Sequence, residues 1–279
     1  MSGVIIYKMS GSGNDFLFVD GRSHPVKEWP AERIRRLCHR RLSIGADGLV
    51  VLEPGGQPGA VRFHFFNSDG GRAAMCGNAA LCATRLAAWL GLAPADGMRL
   101  ETDAAAYETR CLPDGGQRAE IGLGSVERVD APDIPLRSGE RAIGLATVGV
   151  PHLIVLVDAV DTVDLPNRGR ELRHHPALGP AGANVNFVAQ TAGGWAMRTF
   201  ERGVEAETLA CGTGAVASAA FLAATGRVEL PWNVRTAAGS VLTVAGSAEP
   251  ASQPPKAVLT DALLAGEGRL VFRAVLVSE

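Results

Sequence analysis

Two sixteen-residue stretches constrain this chain more than anything else in it. They are Cys76-Gly-Asn-Ala-Ala-Leu-Cys-Ala-Thr-Arg-Leu-Ala-Ala-Trp-Leu-Gly91 and Cys211-Gly-Thr-Gly-Ala-Val-Ala-Ser-Ala-Ala-Phe-Leu-Ala-Ala-Thr-Gly226. Both open with Cys-Gly and close with Gly, and without a gap they also match Ala80 with Ala215 and Ala88 with Ala223. Arg85 is the one charge in the first, and the second has none. Helices so apolar around their whole circumference must be buried on every face. A single buried helix needs a wall, and the flanking sequence supplies short β-type runs: Val4 to Tyr7, Phe16 to Asp20, Leu49 to Leu52, Val61 to Phe66, Ala119 to Leu123, Leu153 to Asp158, Trp195 to Phe200, Val241 to Ala245 and Leu270 to Val277. The expected fold is therefore α/β (α+β): two pseudo-symmetric domains, each a curved, mainly antiparallel sheet wrapped around a central buried helix.

Other echoes support an internal duplication. Gly11-Ser-Gly-Asn-Asp-Phe16 pairs with Gly182-Ala-Asn-Val-Asn-Phe187, and Phe66-Asn67 with Phe200-Glu201, each upstream of its own cysteine. The boundary falls near residues 120 to 130, followed by a linker or loop over Val129 to Glu140, which carries Pro132, Pro135 and Gly139. Pro30 to Arg41 reads as a further helix, with Ile34, Leu37 and Cys38 as its apolar stripe.

Composition narrows the function. Of 279 residues 47% are hydrophobic and 20% charged, with a net charge of −2, which excludes a disordered chain and the basic footprint of a nucleic-acid or membrane-surface protein. The apolar stretch at the N-terminus is too short for a signal peptide and no run is long enough to span a bilayer, so a cytoplasmic protein acting on a small molecule is expected. Five cysteines are too few and too scattered for a disulfide scaffold, and none are spaced C-x-x-C, which removes the common zinc pattern.

A cysteine at the head of a helix sits where unpaired backbone N–H groups and the positive end of the dipole lower a thiol's pKa. The same N–H groups suit an anion such as a substrate carboxylate. Gly77 and Gly212 permit close backbone approach, while Asn78 and Thr213 add small polar contacts. Two such thiols flanking one carbon suit stereoinversion: one thiolate removes a proton and the opposite thiol returns another. Cys38, Cys82 and Cys111 read as structural. Glu201 is placed to orient a thiol and Arg202 to hold a carboxylate in a bidentate fork. His152, just ahead of the strand Leu153 to Asp158, can reach into a cleft and tune a cysteine, whereas His174 and His175 read as solvent-facing.

At these residues the chain resembles diaminopimelate epimerase, within a superfamily that includes proline racemase. The segments that carry the resemblance are Met9-Ser-Gly-Ser-Gly-Asn-Asp-Phe16, Phe66-Asn-Ser-Asp-Gly70 with Met75-Cys-Gly-Asn78, Val150-Pro-His152, Gly182-Ala-Asn-Val-Asn-Phe187, and Glu201-Arg-Gly203 with Glu207-Thr-Leu-Ala-Cys-Gly-Thr-Gly214. The resemblance implies interconversion of LL- and meso-2,6-diaminopimelate for lysine and cell-wall synthesis, with no cofactor and no metal, by a homodimer. It implies domains over 1–122 and 123–265, with 266–279 returning to the first. By position it makes Cys76 and Cys211 the acid and base, supported by His152 and Glu201. Asn14, Asn67, Asn184, Glu201 and Arg202 contact substrate, and Gly77, Asn78, Gly212 and Thr213 bind its carboxylate.

The chain departs from the family in four places. Val150 stands where many members carry an Asn that contacts the distal end of the substrate. Ala79 and Leu81 replace a Gly and an Arg after the first cysteine, and Gly71-Arg72 replaces a small-acidic pair. Val204-Glu-Ala206 is one residue longer than the commonest form. Three other readings stay open on the residues alone: a sister racemase acting on another amino acid such as histidine, a cysteine hydrolase using one thiol with His152, and a non-catalytic amino-acid-binding module.

Overall fold

The computed structural model describes residues 3–113, 117–248 and 258–277. The chain divides into two compact units, Met1–Ile121 with Ala265–Glu279, and Gly122–Leu264.

The first unit contains β1 (Ile5–Gly11), β2 (Asn14–Asp20), α1 (Ala31–Cys38), β3 (Gly48–Pro54), β4 (Ala60–Asn67), β5 (Arg72–Ala73), α2 (Gly77–Trp89), β6 (Met98–Glu101), β7 (Ala106–Cys111) and the start of β8 (Arg118–Val126). The pairs β1–β2, β3–β4, β6–β7 and β7–β8 are antiparallel. The pairs β2–β3 and β4–β6 are parallel. Short β5 adds antiparallel to the end of β4.

Central strands here have both faces covered, which is why they read as continuous apolar runs. Along β2, Leu17 and Val19 join Leu49, Val51 and the α1 residues Ile34, Leu37 and Cys38 in one buried cluster. Alternation sends Phe16 and Phe18 to the opposite face, where Phe16 meets Phe65 edge-on with centroids 6.0 Å apart. That face holds α2, which packs on β1, β2, β3, β4, β6 and β7.

The second unit repeats this plan. It runs through β9 (Val129–Asp130), β10 (Glu140–Val148), β11 (Val150–Val157), α3 (Arg170–Arg173), β12 (Asn184–Thr191), β13 (Gly194–Glu201), β14 (Ala206–Thr208), α4 (Gly212–Ala224), β15 (Trp232–Arg235), β16 (Val241–Ala248) and most of β17 (Leu259–Glu267). The parallel joins fall at the corresponding places, β11–β12 and β13–β15. The antiparallel pairs β10–β11, β12–β13 and β15–β16 match β1–β2, β3–β4 and β6–β7. Short β14 sits on the end of β13 as β5 sits on β4. A last strand, β18 (Arg269–Val275), belongs to the first unit and pairs antiparallel with β1.

The two inner helices also stop alike. Gly91 and Gly226 have φ of 66° and 65°. Beyond each Gly the next N–H reaches back, Leu92 to the Ala87 carbonyl and Arg227 to the Leu222 carbonyl, both at 2.9 Å or less. This is the Schellman closure, which a residue with a Cβ enters only under strain.

Several strands are absent from the sequence-based expectation, including Glu140–Val148, Asn184–Thr191 and Leu259–Glu267. Leu259–Glu267 is rich in Leu and Ala, a helical composition that sheet pairing overrides. The expected loop over 129–140 contains β9, whose Val129 and Asp130 pair with Ala146 and Leu145.

Candidate active site

Each unit places one cysteine at the head of its buried helix, in nearly the same backbone conformation. Cys76 is the N-cap of α2 with φ −142° and ψ 119°, and Cys211 the N-cap of α4 with φ −136° and ψ 105°. Their carbonyls accept the first helical hydrogen bonds, from Ala80 at 2.9 Å and Ala215 at 3.0 Å. Neither thiol caps its own helix. The first-turn amides, which have no intrahelical acceptor, therefore face outward past residues 77 and 212, both glycine and both buried.

The remaining cysteines are different. Burial pushes the Cys38 thiol up to about 12. Complete burial, then the charge of Cys76, raises Cys82 well above the ordinary thiol range. Cys111 donates its S–H toward the Thr84 carbonyl, 3.8 Å away.

In the first unit a chain of polar contacts runs from the helix into the sheet. Asn78 Nδ2 donates to Asn14 Oδ1 at 2.7 Å, and Asn14 Nδ2 donates to Asp47 Oδ2 at 3.0 Å. Arg40 donates to Asp47 at 2.7 Å and to Asp15 at 2.5 Å, and Lys8 completes the cluster on Asp15. Burial works against the Asp15 carboxylate, but hydrogen bonds from Arg40 and Lys8 outweigh it and hold its pKa below the ordinary value. Asn67 ends β4 on the surface, its N–H donating to the Gly71 carbonyl at 2.9 Å.

In the second unit His152 and Asn184 lie side by side on the parallel strands β11 and β12. The Asn184 side-chain carbonyl accepts the Arg202 N–H at 2.7 Å. Thr208 donates to Glu201 Oε2 at 2.6 Å, which fixes that carboxylate at the end of β13. Cys211 Sγ and Thr213 Oγ1 are 3.7 Å apart.

Asn186, which is not among the residues singled out from the sequence, braces His152 against β11 and β13. Its Oδ1 accepts from Thr199 at 3.0 Å, and its Nδ2 donates to the Leu153 carbonyl at 3.2 Å and toward His152 Nδ1 at 3.3 Å. Since Nδ1 is thereby the acceptor, the imidazole proton sits on Nε2. Burial, and next the positive charge of Arg202, push the His152 pKa down to about 3, so the ring is neutral. His152 is fully buried and its Nε2 has no partner among the described residues. A neutral N–H donor of this kind suits a carboxylate or carbonyl oxygen. The signal for Asn186 was the period of two in Asn184-Val-Asn186, which puts both amides on one face of β12. Asp47 and Thr208 carried no such signal, because their partners lie on other strands.

The diaminopimelate epimerase family model matches residues 6–129 and 144–252. A diaminopimelate epimerase from Gemmatimonas aurantiaca is 46% identical over 271 residues, covering 95% of this chain and 96% of the relative. A diaminopimelate epimerase from Aquifex aeolicus is 37% identical over 249 residues, covering 85% and 88%. Among solved structures, a Bacillus anthracis phenazine biosynthesis protein of the PhzF family superposes with a TM-score of 0.73 at 13% identity, covering 100% of both chains, a likeness of fold.

Proposed function

The chain belongs to the diaminopimelate epimerase family, and from that membership we propose that it interconverts LL- and meso-2,6-diaminopimelate by proton transfer between two cysteines, Cys76 and Cys211. The observation that carries this reading is the repetition: two units of one topology each end a short strand in a Cys-Gly helix head of the same conformation. In one direction a thiolate removes the α-proton while the other thiol protonates the opposite face; in the reverse direction the roles exchange. Carbanion charge that develops toward the carboxylate is stabilised by the first-turn amides at Gly77, Asn78, Gly212 and Thr213. Asn14, Asn67, Asn184 and Arg202 hold the substrate. His152 donates from Nε2, and Glu201, steadied by Thr208, supports the cysteine pair.

Val150 gives a specific reason to test a second amino acid, because it withdraws a side-chain contact to the distal end of diaminopimelate. Purified, reduced protein is expected to exchange the α-proton of LL-diaminopimelate with D2O and to leave L-histidine unlabelled at equal concentration. Exchange of histidine with none of diaminopimelate would move the assignment to the sister racemase.

The proposal extends to a homodimer in the cytoplasm. On β18, Val271, Phe272 and Val275 are 46%, 42% and 54% exposed, and Trp89 nearby in the same unit is 56% exposed. A second copy meeting this strand would cover that apolar surface. No described helix is long and apolar enough to cross a membrane.

A further inference from the structure

We propose that Arg173 is a positioning residue for substrate binding, because it joins the two backbone segments that carry Asn184 and Arg202 into one closed ring; the proposal rests on the epimerase reading of that site. Arg173 ends α3 and is 9% exposed. Its Nη1 donates to the Ala181 carbonyl at 3.0 Å, three residues ahead of Asn184. Its Nε donates to Glu205 Oε1 at 3.1 Å. Glu205 Oε1 also accepts the Gly203 N–H at 3.0 Å, and the Glu205 N–H donates to the Glu201 carbonyl at 2.8 Å. Asn184 Oδ1 accepts from the Arg202 N–H at 2.7 Å and closes the circuit.

Each part of the ring is adapted to it. Gly182 has φ 59°, and a Cβ there would stand 2.1 Å from the Arg173 carbonyl and 2.2 Å from Nη1, so the segment approaches Arg173 as only glycine can. Glu205, the middle residue of the lengthened turn, has φ 57°, a left-handed conformation uncommon for a residue with a side chain. Its side chain is what that conformation brings onto Arg173. The Gly203 N–H, followed by the neighbouring Arg173 and His174 charges, keeps the Glu205 pKa below its ordinary value, so it is ionised at neutral pH. The planar guanidinium presents Nε and Nη1 in a fixed fork, so one side-chain geometry engages both acceptors, whereas an ammonium on a flexible stem is a single point donor. The left-handed turn at Glu205 thus carries an ionic brace to Arg173.

The test is steady-state kinetics with LL-diaminopimelate on intact, reduced protein. Arg173→Met is expected to raise KM about tenfold with kcat changed less than about threefold, since binding geometry is loosened and the thiols are untouched. Glu205→Gln, a milder surface change, should raise KM about threefold, and the double variant should do no more than Arg173→Met alone. Arg173→Lys should recover part of the loss. A wild-type KM in Arg173→Met, a fall in kcat at unchanged KM, or additive effects in the double variant would overturn the assignment. A wild-type protein without diaminopimelate turnover would instead overturn the epimerase reading itself.

Discussion

Cys76→Ala and Cys211→Ala are each expected to lower diaminopimelate epimerisation at least about 1,000-fold, and the double variant to be no worse than either single one. Non-additivity is the signature, because a proton removed with none returned is as unproductive as no removal. The loss belongs to chemistry and not to folding. Both residues are caps whose side chains make no capping bond, so thermal stability should fall by less than about 1 kcal/mol. Cys38→Ala, Cys82→Ala and Cys111→Ala serve as controls and should keep wild-type turnover in the folded protein. Measuring all five by coupled turnover assay also separates the single-thiol hydrolase alternative, which predicts that one of Cys76 and Cys211 is dispensable.

Gly214→Ala should be the most damaging substitution outside the residues that handle protons. In an exposed helix interior the change from Gly to Ala stabilises by about 1 kcal/mol. Here the sign reverses. A Cβ at 214 would stand 2.2 Å from Asn186 Oδ1 and 3.2 Å from Cys211 Sγ. Asn186 cannot retreat without surrendering Thr199, the Leu153 carbonyl and His152. The expected result is a loss of about 100-fold in kcat/KM with a destabilisation of about 2 kcal/mol. Circular-dichroism melting beside the turnover assay reads both. An active, more stable Gly214→Ala protein would show that Asn186 is free to move and does not set His152.

How much of this was legible in the sequence depended on range. The buried helices were readable because an apolar circumference is a local property, and the wrapped sheet followed from it. Leu259–Glu267 was not, since its Ala- and Leu-rich composition favours helix and only its sheet neighbours decide otherwise. At the site, the two cysteines stood out because the signal was repeated 135 residues apart, from position 76 to 211. Glu201 was visible as a strand end, and His152 by its place ahead of the apolar run at Leu153, although the strand reaches back to Val150 and takes His152 into the sheet. Asp47 behind Asn14, Thr208 behind Glu201 and Arg173 behind the Asn184 and Arg202 segments were not, because each acts through a partner on another element. Asn186 lay between the two cases: its position was readable from strand alternation, but its place beside Gly214 required the packing of α4.

The central claim, that two different groups handle the proton, is tested most directly by a single turnover of LL-diaminopimelate in D2O with enzyme in excess. In a reaction quenched before the reverse reaction sets in, two cysteines acting in sequence predict meso product that carries solvent deuterium at the inverted carbon, while LL substrate not yet turned over remains unlabelled. Meso product that retains the substrate's own hydrogen would mean that one group both removes and returns it, and would contradict the account.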